Sequence, residues 1–548
     1  MKHLRTVTAF ITALILLLLA GCVGNVDDPA KKTSKTDKGD GSLYFELDKL
    51  PKLEPYNNKA VKRVNNEYTD KLKPGKNYGT LVPYVGKYKK YSSNEASYSS
   101  ETALYGLATE DGRIVVDPVY AYVGKIEFKD GSYVLRLPYY GTNEEEYGED
   151  FTVAAADGSW ALDFNGDSYC TVGDDMIVVE EYDADEAKMS YYDKNGKLIS
   201  SFSKPQPISM SIVSEGLVLC SVYSEGKEEA YFTDIYGKTV LSGYTWANSF
   251  YGGFARACKK GGKEGLIDKK GNWVFEPVYE SVTVAEKGYI GLMDREKVYV
   301  YDFDINLLAT IPINYDNGTS FSFPGGYDGD GEYLCTNDSG ETLYYSLPGG
   351  KKIVSKETGK PASDIYFGPT KEQMLFSAED EDGRTYIVFD ENGETVLKIK
   401  DLTGLDRISE NVVCADTYYD PDNDYETDDN VRTTFLYNVK TGKTILKYKN
   451  ESKGKDTYIN SLLYDEPSNR FAQINFYDYA TDEMNGERTC LLYDTVSEKF
   501  MPDDRELAYV NAFDTGEKVY INILRGGVSY LCDGEFKEIM RLHYTETD

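Results

Sequence analysis

The feature that most restricts this chain is a phrase written twice. Residues 105–123 read YGLATEDGRIVVDPVYAYV and residues 264–282 read EGLIDKKGNWVFEPVYESV. They align without a gap: Gly106 with Gly265, Leu107 with Leu266, Gly112 with Gly271, and Pro118-Val119-Tyr120 with Pro277-Val278-Tyr279. Looser copies keep the grammar of an apolar strand, an Asp or Asn, a Gly turn and a second apolar strand. They are YYDKNGKLISSF from Tyr191, YFTDIYGKTVLSGY from Tyr231, IVFDENGETVLKIK from Ile387, LYNVKTGKTILKYK from Leu436 and YLCDGEFKEIM from Tyr530. Degenerate versions read VYDFDINLLATI, YYSLPGGKKIV and LLYDTVSEKFM.

Each copy predicts a β-hairpin. The Asp or Asn side chain bonds back to the turn backbone, and Gly takes the positive φ that the turn requires. The flanking Tyr, Val, Ile and Phe suit a pleated, half-buried surface. In this setting the 49 tyrosines cover apolar area while keeping a hydroxyl for water. The intervals between turns leave room for two further strands, so each unit reads as four short strands. One such unit cannot bury its own faces, and neighbours must supply the core. The expected fold is all-β, built from repeated four-stranded units and β-propeller-like. About eleven units can be counted, against the ~4–8 blades usual in one ring, so one ring or two are both open.

At the level of G-L-x-D-x-x-G-x-x-V-x-x-P-x-Y the chain resembles the WG-repeat (KWG-type) proteins of bacteria. Gly265, Leu266, Asp268, Gly271, Val274, Pro277 and Tyr279 carry the likeness, with the corresponding positions around Gly106. The signature Trp is replaced by Tyr105 in one copy and Glu264 in the other. The resemblance implies an all-β repeat body on a cell-surface lipoprotein. It brings no catalytic residue, so the repeat positions Gly112, Gly271, Pro118, Pro277, Tyr120 and Tyr279 are read as structural.

The N-terminus is read as an address. Lys2, His3 and Arg5 precede an apolar stretch from Val7 to Leu19, shorter than the ~20 residues that span a bilayer. It runs into Leu19-Ala20-Gly21-Cys22, which resembles a lipoprotein lipobox and implies cleavage before Cys22 and lipid attachment to its sulfur. The expected organisation is a signal peptide over 1–21, a lipidated disordered tether over 22–43 and a cap segment over 44–100. β-Repeat region I follows over 101–320 and region II over 321–548, divided near GTSFSFPGGYDGDGE. The expected location is extracytoplasmic, on the cell membrane through the lipid alone.

Composition narrows the function. The formal charge of −32 repels nucleic acid and anionic head groups. Only two histidines occur, His3 and His543, which excludes multi-imidazole metal sites. No G-x-S-x-G elbow, phosphate loop or dinucleotide fingerprint appears. Apart from Cys22 there are seven cysteines, an odd number without a C-x-x-C pair, set mostly in strand-like surroundings as small core residues.

No cofactor is expected; calcium is the one candidate, and the alternative for its acidic run is a solvated loop between strands. Asp420, Asp422 and Asp424 alternate like the first ligands of a calcium loop, but Tyr425 and Val431 stand where Gly and Glu belong. A second run holds Asp328, Asp330 and Glu332. The pairs Tyr139-Tyr140, Tyr191-Tyr192, Tyr344-Tyr345 and Tyr418-Tyr419 offer platforms for sugars, one ring of each pair facing inward and the other outward. The functional expectation is a binding scaffold for a protein or glycan at the cell surface. A carboxylate-based glycan hydrolase and a structural spacer without a ligand are the alternatives; no catalytic residue stands out.

Overall fold

The computed structural model describes residues 72–89, 102–139, 150–324, 333–366, 374–419, 431–461, 471–478, 487–525 and 528–547. Within these spans 167, 183–184, 225–226, 260–261, 286, 317, 339–340, 381–383, 410, 451–454, 501–506 and 544 are not described. The described chain forms eleven four-stranded sheets, and no helix in it is long and apolar enough to cross a membrane.

Sheet 1 takes Leu81–Lys89, Thr102–Thr109 and Ile114–Tyr120, and is completed by Thr545–Thr547. Sheets 2 to 6 occupy residues 124–164, 168–205, 208–244, 246–279 and 281–312. Sheets 7 to 11 occupy 320–352, 364–400, 402–450, 455–500 and 507–543. Sheets 2 to 11 each run through four strands in chain order, the up-and-down arrangement of a propeller blade. In sheet 1, Lys87–Lys89 pairs in parallel with Thr545–Thr547. Leu81–Lys89, part of the stretch read as a cap, is thus a strand of the first sheet.

Two compact units divide the chain. One comprises Glu54–Ser322 and Arg505–Asp548, hence sheets 1 to 6 and sheet 11. The other comprises the described residues of 323–504, with sheets 8 to 10 and the last three strands of sheet 7.

The cores lie between sheets, not within them. In the first unit Leu81, Leu107 and Val116 of sheet 1 pack with Leu135 and Leu137 of sheet 2 and with Phe513 and Leu524 of sheet 11. Tyr191 of sheet 3 meets Met210 and Cys220 of sheet 4; Phe232 of sheet 4 meets Phe250 and Ile267 of sheet 5. In the second unit Phe376 and Phe389 of sheet 8 receive Tyr333 and Tyr344 of sheet 7. Ile408 and Cys414 of sheet 9 pack on Ile474 and Tyr493 of sheet 10. Each sheet with a neighbour on both sides buries both faces, which explains why its strands carry apolar residues at successive positions.

One hairpin recurs with the same geometry in seven sheets. In sheet 5 the Asp268 N–H donates to the Asn272 carbonyl (3.0 Å) and the Gly271 N–H to the Asp268 carbonyl (2.9 Å). Asp268 Oδ1 accepts from the N–H groups of Lys270 and Asn272, both at 2.9 Å. The same backbone pair closes the turns that start at Thr109, Asp193, Asp234, Asp302, Asp390 and Asp533. In all seven the last strand then carries a one-residue bulge at the same place, for example Leu266↔Phe275 followed by Ile267↔Trp273. The left-handed position is glycine in five of these turns and Ile305 or Phe536, at φ 63 and 60, in the other two.

Candidate functional site

The surface that the repeats leave open is set by how each turn is seated. A Cβ on Gly196 of sheet 3 would lie 2.6 Å from the Trp160 ring of sheet 2. One on Gly237 of sheet 4 would meet Phe202 of sheet 3 at 2.7 Å, and one on Gly271 of sheet 5 would meet Leu241 of sheet 4 at 3.0 Å. Gly112 sits in the same way on Ile539 and Met540 of sheet 11, and Gly393 of sheet 8 on Val354. The turn therefore needs glycine twice over, for its positive φ and for its close approach to the preceding sheet. Docked like this, each turn is held against the preceding sheet and leaves other residues of the turn exposed.

The first hairpins of sheets 3, 4 and 5 are joined as well. Their tight turns hold Asp174-Asp175, Glu215-Gly216 and Gly252-Gly253, all at positive φ. Asp174 accepts from the N–H groups of Glu215 and Gly216, and the Glu215 carboxylate accepts from Gly253 N–H at 3.0 Å. Asp175 accepts from Lys129 N–H of sheet 2 at 3.0 Å. Three carboxylates on two turns thus satisfy backbone donors of neighbouring turns, using acidic groups that the composition alone offered as ligands.

The position of the signature aromatic performs different tasks in the two copies. Tyr105 is buried, and its hydroxyl accepts from Asn511 Nδ2 of sheet 11 at 2.9 Å. Glu264 Oε2 accepts from the Val282 N–H of sheet 6 at 2.6 Å and lies 3.7 Å from Arg256 Nη1. Arg256 Nη1 donates to the Val282 carbonyl (3.0 Å), and its guanidinium lies 4.2 Å from the Trp246 ring centroid. Burial raises the Glu264 carboxyl above its ordinary value and lowers Arg256, each partly opposed by the other's charge. The pair grips both peptide groups of an outer strand, and an acid at an aromatic position gave no such signal in the sequence.

The remaining predicted residues are placed as follows. Gly112 and Gly271 occupy the turns at φ 82 and 81. The Pro118 ring fills the space beside Gly86, where a Cβ would be 2.2 Å from its Cγ. Pro277 N lies 2.8 Å from the Cβ position of Gly265. Tyr120 is buried with its ring 5.2 Å from that of Tyr139, and half-buried Tyr279 meets Phe275 edge-on at 6.3 Å. Cys22, Asp420, Asp422 and Asp424 lie outside the described residues, as do Asp328, Asp330 and Glu332. Among the described residues no group of three His, Cys, Asp or Glu side chains is placed to hold a metal.

Two of the tyrosine pairs, Tyr191-Tyr192 and Tyr344-Tyr345, need correction, while Tyr140 and the side chains of Tyr418 and Tyr419 lie outside the described residues. Tyr344 and Tyr345 are both buried, while Tyr191 is buried and Tyr192 half-buried. Alternation does put the two rings on opposite faces, but neighbouring sheets cover both faces. The well-exposed tyrosines are others, Tyr169 and Tyr236 foremost. Cys170, Cys220, Cys258, Cys414 and Cys532 are buried thiols in no disulfide among the described residues, and burial pushes the Cys170 and Cys532 thiols up to about 12, which leaves those two inert as nucleophiles.

One carboxylate pair is coupled. Asp406 and Asp416 lie on adjacent strands of sheet 9, where Gly404 is the direct partner of Asp416 and Asp406 stands two residues further along the same face. Burial first, and then the charge of Asp416, raises the Asp406 carboxyl. Asp416 Oδ1 accepts from Thr434 Oγ1 at 2.5 Å.

Among solved structures, 261 chains match this one. Apo AztD from Citrobacter koseri is 10% identical over 58% of this chain and 94% of that chain, with a TM-score of 0.29. The WD40 domain of SCAP from fission yeast is 11% identical over 66% and 96%, with a TM-score of 0.27. Kluyveromyces lactis Hsv2p is 10% identical over 54% and 96%, with a TM-score of 0.25. No curated protein matches the chain. A family model described as a WG containing repeat matches residues 265–297, the stretch that starts at the Gly265-Leu266 pair of the second copy.

Proposed function

We propose that this chain is a KWG-type lipoprotein, anchored through Cys22 outside the cytoplasm, whose repeat body is a binding scaffold for a protein or glycan at the cell surface. The observation that carries the scaffold reading is the division of labour in each repeat. Apolar faces are consumed between sheets, whereas the residues flanking the seated turns stay exposed and differ from copy to copy. A constant frame with variable outward positions is what repeat-based recognition uses. The anchor rests on the basic start, the short apolar stretch and the Leu-Ala-Gly-Cys box.

The test has two parts. Cells producing the chain are fed an alkyne fatty acid; the wild type takes the label and stays with the membrane, and Cys22→Ser loses both. An unlabelled wild type sinks the anchor. The full chain is also offered isolated cell walls, where retention supports the scaffold and absence of retention favours the spacer.

The Asp406–Asp416 pair gives the hydrolase a specific foothold, since two carboxyls on one sheet face, one of them raised by burial, are the side chains that glycoside hydrolysis uses. Release of reducing ends from those walls, abolished by Asp406→Asn and Asp416→Asn, would establish it.

A further inference from the structure

Two carboxyls of the first unit are raised by burial on a face that one sheet turns to the next, and they are treated differently. Glu264 of sheet 5 has Arg256 at 3.7 Å and a backbone N–H of sheet 6. Glu180 of sheet 3 is only 8% exposed and has neither. Its hydrogen bond comes from its own strand, where the Tyr182 hydroxyl donates to Glu180 Oε2 at 2.6 Å. Burial raises the Glu180 carboxyl, and the Tyr182 hydroxyl alone opposes the rise, with no lysine or arginine contributing. The nearest lysine along the sheet, Lys188, pairs with Glu181, which alternation puts on the opposite face.

The register gathers three tyrosines around Glu180. Tyr169 is its direct partner on the first strand, Tyr182 stands two residues along its own strand, and Tyr191 on the third strand is opposite Val178. All four side chains share one face. On that face Val178, Met189 and Tyr191 pack on Met210 and Cys220 of sheet 4. This cover stops short of the other two rings: Tyr169 is 58% and Tyr182 39% exposed. The Tyr191 hydroxyl is fully buried and has no hydrogen-bond partner among the described residues. Burial, then Cys220 and the charge of Glu180, push that hydroxyl up.

We propose that Glu180, at the foot of the Tyr169 and Tyr182 rings, binds a primary ammonium group, with Glu180 Oε1 accepting an N–H of the ligand. A carboxylate withdrawn from water without a cation is costly, and a cation brought by a ligand removes that cost. The faces of the two exposed rings attract the same charge. An ammonium carries three donors and no acceptor, which suits a site where Glu180 Oε1 receives no donor from a described residue. A metal ion fits less well, since among the described residues no group of three acidic, His or Cys side chains is placed to hold one. The site goes beyond the scaffold reading, because it names a ligand chemistry for one patch of one sheet.

The test is ligand-observed saturation-transfer NMR on the full chain at neutral pH. Physiological ionic strength screens the general acidity of the chain beyond about 8 Å. The probe is n-butylammonium, with n-butanol as its neutral counterpart. Butylammonium is expected to bind, and butanol about tenfold or more weakly. Glu180→Gln is nearly isosteric and is expected to lose about tenfold. Glu181→Gln makes the same charge change on the opposite face and is expected to lose less than about twofold. Tyr169→Ala alters an exposed side chain and should weaken butylammonium several-fold, which decides the matter if Glu180→Gln does not fold. No binding of butylammonium to the wild type, butanol bound as tightly, or no loss in Tyr169→Ala would each overturn the assignment, as would equal losses in Glu180→Gln and Glu181→Gln. If cell walls retain a wild type that ignores butylammonium, only this site falls and the scaffold stands.

Discussion

The two copies of the repeated phrase share their backbone down to the register and part most sharply at the position of the signature aromatic. In sheet 1 the pairs are Tyr105↔Tyr120, Leu107↔Val116 and Ala108↔Ile114; in sheet 5 they are Glu264↔Tyr279, Leu266↔Phe275 and Ile267↔Trp273. Gly106 and Gly265 each face the bulge made by the Pro-Val stretch on the last strand. A Cβ there would lie 2.5 Å from the Val116 carbonyl oxygen in one copy and 2.6 Å from the Phe275 oxygen in the other. Yet Tyr105 inserts an aromatic ring among its neighbours, while Glu264 works with Arg256 as half of an ion pair. Backbone geometry is what the repeat preserves, and the aromatic position is open to any chemistry that holds the adjacent sheet.

The strongest way to break this comparison is at the shared glycines. Gly106→Ala and Gly265→Ala should each destabilise their unit by about 3 kcal/mol, because backbone oxygen cannot yield as a side chain can. Urea unfolding measures it, and tolerance of either change would mean that the bulge is not what demands glycine.

Next in size is the turn. Gly271→Ala places a side chain at φ 81 and 3.0 Å from Leu241, and should cost about 1–2 kcal/mol. Ile305 holds the same turn position in sheet 6 at φ 63, but its side chain packs with Val282 and Leu292. Ile305→Gly should be close to neutral, since relief of about 1–2 kcal/mol of backbone strain offsets the lost packing. A melting temperature that falls as far for Ile305→Gly as for Gly271→Ala would show that packing outweighs strain there.

The smallest effects are in pH and have opposite signs. Glu264 holds its proton more tightly folded than unfolded, so its contribution declines as pH rises from its ordinary value of 4.5 through the raised one. Glu110, beside the turn of sheet 1, is lowered by hydrogen bonds from Tyr520 and Lys518. Its contribution is present above 4.5 and is lost as pH falls through the depressed value. Urea midpoints across pH 3 to 7 should flatten on the rising limb in Glu110→Gln and on the falling limb in Glu264→Gln. With solvent screening each change is a few tenths of a kcal/mol; equal slopes in both variants would refute the contrast.

Much of this was legible because it is local. Asp268, Gly271 and the strands beside them lie within a few residues, so the Asp oxygen and the glycine φ specify the turn wherever the pattern occurs. The strand count per unit followed from the same spacing. Ile305 and Phe536 hid the turn behind the wrong residue type, since tertiary packing overrides the preference for glycine. Asp406 and Asp416 are ten residues apart on paired strands, and nothing in the string marks them as sharing a face. Tyr191 and the pair Tyr344-Tyr345 misled because alternation predicts solvent on one face, whereas at these positions neighbouring sheets cover both.

The sequence by itself determined the all-β class, the repeated hairpin and its turn chemistry. Tertiary structure decided which sheets meet, including the packing of sheet 11 against sheet 1. There Asn522 Nδ2 donates to the Pro83 carbonyl at 3.1 Å and its Oδ1 accepts from Val85 N–H at 3.3 Å. The reason lies in the forces involved. A turn is selected by short-range sterics and hydrogen bonds, but apolar sheet faces attract one another without direction. Only the few polar contacts that fit one neighbour and no other, such as those of Asn522 and the Arg256–Glu264 pair, discriminate among faces that are otherwise alike.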